Sequence, residues 1–142
     1  MPSKGNARWL GDLQSGSGTF TAGDSLSGKY SFKSRFEDGS GANPEQLIAA
    51  AHAACFSMAL ASLLAKSSHT PTSIETDATV TLRLIDGVQT IARIDLVTTG
   101  VVANVSIEEF ESFAIQAKNN CIVSRALGAV NEITLESHLG VG

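Results

Sequence analysis

Basic clusters are missing from this sequence: its 10 lysines and arginines lie scattered among 14 acidic residues, for a net charge of −4 and an isoelectric point near 5.2. That leaves no footprint for nucleic acid and no patch for an anionic membrane surface. A glycine-rich loop leading from a strand into a helix is also missing, which removes support for nucleotide binding. His52, His69 and His138 have no zinc-type spacing to one another or to a cysteine, so no metal is expected. Neither a repeat nor a linker interrupts the chain, and a single domain over residues 1–142 is the expectation. The opening Met1-Pro2-Ser3-Lys4-Gly5 lacks the apolar core of a secretion signal, so a cytoplasmic setting is expected. Cysteine is scarce, with Cys55 and Cys121 alone. In a reducing compartment such a pair is two free thiols or a working redox couple, not a structural staple.

What is abundant is apolar surface. Hydrophobic residues make up 43% and charged residues 17%, an ordinary globular balance. The uncharged run Leu47–Leu64 reaches the length at which a membrane span must be weighed. It is rich in alanine and interrupted by His52, Ser57 and Ser62, and therefore reads as a buried core helix. Asn43 suits its N-cap, Pro44 its first position and Glu45 its first turn, and the helix is expected to run to about Lys66. The small side chains Ala49, Ala50, Ala51, Ala53 and Ala54 would let another helix approach closely.

Before this helix, Ala7–Leu10, Gly18–Ala22 and Lys29–Phe36 read as strands, the last with Tyr30 and Phe32 on one face. After it, Ile74–Ile85 alternates, with Ile74, Ala78, Val80, Leu82 and Leu84 on one face. Asp86-Gly87 marks a hairpin, and Val88–Thr99 is the returning strand. Ser106 with Glu109 forms a capping-box signature for a second helix. Ile107, Phe110, Ala114, Ala117 and Cys121 make its apolar stripe; Gly128 is a stop, and Ile133–Leu139 is a last strand. Strands, helix, hairpin, helix, strand is the order of an α+β domain.

Each cysteine alone is most simply a small hydrophobe on a helix. Cys121, however, ends an inward-facing stripe and Cys55 lies in a core helix, so the two can face each other and form a transient disulfide. Cys55 sits about three turns inside its helix, too deep for that helix's own N-terminus to favour a thiolate, and a nearby cation is expected. Arg35 is the candidate, against the plain reading of a strand-edge arginine. Glu45 is explained by the helix dipole, or it orients the Arg35 guanidinium through a two-pronged hydrogen bond. Glu45 and Cys55 are ~15 Å apart along a straight helix at 1.5 Å per residue. For Arg35 and Glu45 to serve Cys55, either the strand end folds back or a second chain supplies them. His52 shares a helix face with Ala49 and Phe56 and reads as a satisfied core or interface histidine rather than a base.

The stretches Arg35-Phe36-Glu37, Asn43-Pro44-Glu45-Gln46-Leu47 running on through Ala53-Ala54-Cys55-Phe56-Ser57-Met58-Ala59-Leu60, and Pro71-Thr72-Ser73-Ile74 closely resemble the osmotically inducible protein C (OsmC) family, relatives of the organic hydroperoxide resistance proteins. The resemblance extends over the whole chain, and the opening Arg8-Trp9-Leu10-Gly11-Asp12 is similar to the OsmC branch. It implies an OsmC-like fold of antiparallel sheets with two central helices, in an intertwined homodimer with active sites at the interface. It also implies that Cys55 attacks a peroxide, that Cys121 resolves the intermediate, and that Arg35 and Glu45 match the family's arginine and glutamate. One departure is Ile122, which stands where the family has proline after the second cysteine; without the ring the helix is free to continue past Cys121.

The reaction implied is reduction of an organic hydroperoxide through a Cys55 sulfenic acid and a Cys55–Cys121 disulfide, with no cofactor. A dithiol such as dihydrolipoamide or a lipoylated protein would reopen the disulfide. Burial among Phe36, Phe56, Met58 and alanines would favour an alkyl hydroperoxide over hydrogen peroxide. Two other readings stand beside it: a non-catalytic protein binding an apolar ligand in an interface pocket, and a redox sensor.

Overall fold

The computed structural model describes residues Met1–Val141, and it divides the chain into two compact units, Met1–Leu47 and Ile48–Gly142. In the first, β1 (Gly5–Leu10), β2 (Ser17–Ala22) and β3 (Leu26–Tyr30) form an antiparallel meander. Its turns use Gly11 and Gly23, both at positive φ, where only glycine is unstrained. On one face the Trp9 and Tyr30 rings lie 5.5 Å apart, tilted by 50°. Gly18 sits beneath them, and a Cβ there would fall 2.5 Å from the Tyr30 ring.

The strand expected over Lys29–Phe36 ends early. Ser31 caps a short helix, α1 (Phe32–Phe36): its hydroxyl accepts from the Ser34 amide, and the Ser34 hydroxyl accepts from the Ser31 amide. This reciprocal box turns the backbone at the point where the Tyr30/Phe32 alternation promised a continued strand. Arg35 therefore lies on a helix, not at a strand end. Asn43 caps α2 (Pro44–Lys66) as expected, its Oδ1 accepting from the Gln46 amide at 2.8 Å, while Gln46 accepts from the Asn43 amide and completes a second box.

In the second unit, β4 (Ser73–Ile85) and β5 (Val88–Val101) form a long antiparallel hairpin around Asp86-Gly87, both at positive φ. A register shift at Thr81/Leu82 rotates the end of β4, so Leu84, expected on the inner face, is 68% exposed. The last strand, β6 (Glu132–Leu139), pairs parallel to β5, which makes this sheet mixed rather than antiparallel. A parallel neighbour needs a long crossover, and here α3 (Ile107–Asn120) and α4 (Ile122–Ala126) provide it.

The capping box at Ser106 and Glu109 forms as the sequence indicates. Phe110, Ala114, Ala117 and Cys121 face the core, whereas Ile107, in the first turn, is 66% exposed. From α2 come Phe56, Leu60 and Leu64, and from β5 Ile94 and Leu96, all fully buried. Among the described residues α2 is the one helix with the length and hydropathy of a membrane span. Its stripe His52, Phe56, Leu60, Leu64 packs into protein, so the helix expected to be buried in the core is covered on one side only. The opposite stripe, Ala51, Ala54, Met58 and Ser62, is exposed.

Gly100, buried on β5, marks the closest approach of α3 to the sheet: a Cβ there would lie 2.5 Å from the Phe110 ring. Gly100→Ala should destabilise the fold by about 1–3 kcal/mol through overpacking, read as a lower urea midpoint at unchanged slope.

Candidate active site

Cys55 sits midway along α2 and is half-buried, while Cys121 is 1% exposed. Both are free thiols. The chain breaks at Cys121, which closes α3 by donating its amide to the Ala117 carbonyl at 2.8 Å. It then opens α4 by accepting from the Arg125 amide at 3.0 Å. Its ψ of 129° is extended, so the two helices are separate even with Ile122 in place of proline. Cys121 is thus a junction residue rather than the last residue of a continuing helix, and Ile122 takes the first helical position that a proline would also suit.

This break sets the electrostatics. The first amides of a helix have no intrahelical partner, and those of Ile122 and Val123 stand near enough to Cys55 to favour its thiolate. Burial pushes the Cys55 thiol up. The Val123 amide, the Cys121 thiol and the Ile122 amide each favour the thiolate, and together they hold Cys55 below the ordinary thiol range. For Cys121 the balance is reversed. Burial pushes its thiol up, and donation to Cys55 adds to that, against the opposing pull of the Ser124 amide and hydroxyl. The centre therefore holds one half-exposed sulfur shifted toward the thiolate and one buried sulfur shifted toward the thiol.

An apolar cleft of about 810 Å³ opens beside Cys55, lined by Ala51, Ala54, Met58, Leu63, Cys121 and Ile122 among others. Met58 lines it at 75% exposure instead of burying it, and Phe56 lies in the core. In the first unit, Arg35 and Glu45 form a two-pronged pair. Nη2 is 2.6 Å from Oε1, and Nε lies 3.1 and 3.3 Å from the two carboxylate oxygens. Glu45 is buried and Arg35 is 39% exposed, with its guanidinium 5.2 Å from the centroid of the Phe36 ring, itself 39% exposed.

Ser124 and the amides of Ile122 and Val123 were not legible as site elements. The available signal was the i+3 spacing of Ser124 from Cys121, which matters only once a helix is known to start there. Among the described residues no cluster of three or more potential metal ligands occurs.

Fold and site together define an α+β protein with an unequal pair of redox-capable thiols. The model of the OsmC-like protein family matches residues 37–136. Peroxiredoxin OsmC of Escherichia coli (strain K12) is 43% identical over 138 residues, covering 96% of this chain and 95% of that protein. The organic hydroperoxide resistance protein OhrB of Bacillus subtilis superposes with a TM-score of 0.75 at 25% identity, over 99% of this chain and 98% of that one. An OsmC-like protein of unknown function from Vibrio cholerae shares the fold, with a TM-score of 0.77 at 16% identity over 96% and 99% of the two chains. The chain belongs to the OsmC-like protein family.

The unequal thiols predict selective alkylation. With limiting iodoacetamide at neutral pH, Cys55 should be modified well before Cys121, as read by peptide mass mapping. Cys121→Ala removes a donor to the thiolate, so Cys55 alkylation at that pH should slow severalfold. An equal or faster rate would refute the hydrogen-bond account.

Proposed function

We propose that this protein is a thiol-dependent peroxidase that reduces organic hydroperoxides to alcohols. The observation that carries the reading is the division between a half-exposed sulfur favoured as thiolate and a buried sulfur held as thiol. Relatives named as a peroxiredoxin and as an organic hydroperoxide resistance protein support it. In this reading the Cys55 thiolate attacks the outer peroxide oxygen. The O–O bond breaks, the alkoxide takes a proton and leaves as an alcohol, and Cys55 becomes a sulfenic acid. Cys121 then attacks the Cys55 sulfur, giving the disulfide and water. A dithiol such as dihydrolipoamide or a lipoylated protein returns both thiols. The apolar cleft beside Cys55 rewards an alkyl tail, which disfavours hydrogen peroxide.

Arg35 and Glu45 complete the site in a homodimer. Support comes from exposed apolar surface: Met58 and Ile122 at 75% and 76% beside the cleft, and Leu10, Leu13 and Leu26 at 50% or more on the N-terminal meander. An intertwined second copy would cover these surfaces and bring its Arg35–Glu45 pair to Cys55. There the guanidinium orients the hydroperoxide and stabilises charge developing on its oxygens. A reducing cytoplasm is the compartment in which the cycle would turn over.

Purified protein with dihydrolipoamide should consume cumene hydroperoxide far faster than hydrogen peroxide, and Cys55→Ser should abolish consumption. Cys121→Ser should complete one turnover and leave a sulfenic acid that dimedone traps. Consumption surviving in Cys55→Ser ends the reading, and no consumption with any dithiol favours a non-catalytic apolar-ligand protein. Arg35→Ala should lower kcat/KM by on the order of tenfold or more. Met58→Asp should shift the sedimenting species from dimer to monomer, whereas a monomeric wild type would remove the interface site.

A further inference from the structure

His52 is a buried titratable group to which the peroxidase chemistry above gives no task. It is fully buried, and its Nε2 lies 2.7 Å from the Ser124 hydroxyl, while Nδ1 has no partner among the described residues. Ser124, itself buried, stands one turn beyond Cys121, so its hydroxyl shares a side of that turn with the Cys121 thiol. Cys121 in turn lines the same cleft as Cys55, where its thiol favours the Cys55 thiolate. His52 and Ser124 therefore end a continuous line of polar groups that begins at the reactive sulfur.

The direction of that line follows from the tautomer. Burial keeps the imidazole neutral, so one ring nitrogen carries a hydrogen and the other a lone pair. A buried N–H without a partner is rarer and costlier than an unpartnered acceptor. The hydrogen therefore belongs on Nε2, facing Ser124, and Nδ1 keeps the lone pair. Nε2–H donates to Ser124 Oγ, whose own hydrogen is left to point at Cys121. Every bond then donates toward Cys55.

We infer that His52 is a positioning residue of the two-cysteine centre: it fixes the Ser124 hydroxyl as a donor to Cys121 and so stabilises that sulfur as it attacks the Cys55 sulfenic acid. This rests on the peroxidase reading. In the step, the Cys121 S–H proton, already directed at Cys55, passes to the hydroxyl leaving the sulfenic acid. The S–O bond breaks, the S–S bond forms and water departs. While the proton is in transit, negative charge builds on Cys121 in a site where burial opposes it. The Ser124 hydroxyl meets that charge with a hydrogen bond, and His52 prevents the hydroxyl from turning away.

The test is a single turnover of the reduced protein with one equivalent of cumene hydroperoxide, following the Cys55 sulfenic acid and the disulfide separately. His52→Phe keeps a ring but removes the donor, and Ser124→Ala removes the hydroxyl. In both, sulfenic acid should form within about threefold of the wild-type rate, while disulfide formation slows at least tenfold and the sulfenic acid accumulates. His52→Gln, whose amide N–H can reach Ser124, should recover most of the rate, and so should Ser124→Thr. Disulfide formation at the wild-type rate in Ser124→Ala overturns the inference. A folded His52→Gln as slow as His52→Phe also overturns it, because the histidine would then act only by packing. Should His52→Phe fail to fold, Ser124→Ala against Ser124→Thr decides alone. A wild type that forms no sulfenic acid refutes the peroxidase reading, and the inference falls with it.

Discussion

The two-cysteine centre depends on the chain stopping and restarting at Cys121. In an uninterrupted helix the amides of Ile122 and Val123 would bond to carbonyls one turn back. Because ψ at Cys121 is extended, α3 ends, α4 begins, and those amides are released to the Cys55 sulfur. The same turn carries Ser124 around to His52. One dihedral thus places two backbone donors and one thiol beside the Cys55 sulfur on another helix, and a hydroxyl beside that thiol. The helices need no proline to separate, since Cys121 and Arg125 supply the closing and opening backbone bonds.

The resulting electrostatics come from few groups. Burial acts on both sulfurs in the same sense, against ionisation. Both also feel amides at the start of α4, and what separates them is depth: Cys121 is almost fully buried and its thiol is pushed up, while Cys55 is half-exposed and its thiol is lowered. A peroxidase needs that order, with the nucleophile ionised and reachable and the second thiol kept protonated until a sulfenic acid forms. In the proposed dimer the Arg35–Glu45 pair would add its charge to these groups and act on the peroxide.

Local signals were legible where a single local rule decides the backbone. Asn43, Asp86-Gly87 and the Ser106/Glu109 box all stand where the sequence places them, because caps and tight turns are satisfied by their own neighbours. The pattern misled where two local rules competed. Tyr30 and Phe32 alternate as in a strand, yet the Ser31/Ser34 box turned the chain into α1 and carried Arg35 with it. The parallel pairing of β6 was hidden because register is a long-range property that alternation does not encode. Of the candidate site, the placing of Cys55 and Cys121 on one cleft and the two-pronged Arg35–Glu45 contact could be read. The amides of Ile122 and Val123 and the Ser124–His52 contact could not, since they exist only after α4 docks on α2.

The long helix α2 connects the chemistry to assembly. A helix apolar nearly all round needs cover on every side, and this chain covers one. His52, Phe56, Leu60 and Leu64 are buried, whereas Ala51, Ala54, Met58 and Ser62 are open. Cys55 lies between the two stripes, which is why it is half-buried. Full burial on the inner side would deny it substrate, and full exposure would remove the amides and thiol that favour its thiolate. In the proposed homodimer the open stripe becomes the wall of an apolar pocket, so the surface that drives association is also the surface that selects an alkyl tail. Small alanines on that stripe keep the pocket open, and Met58 is the one long, adaptable side chain able to close around tails of different shape.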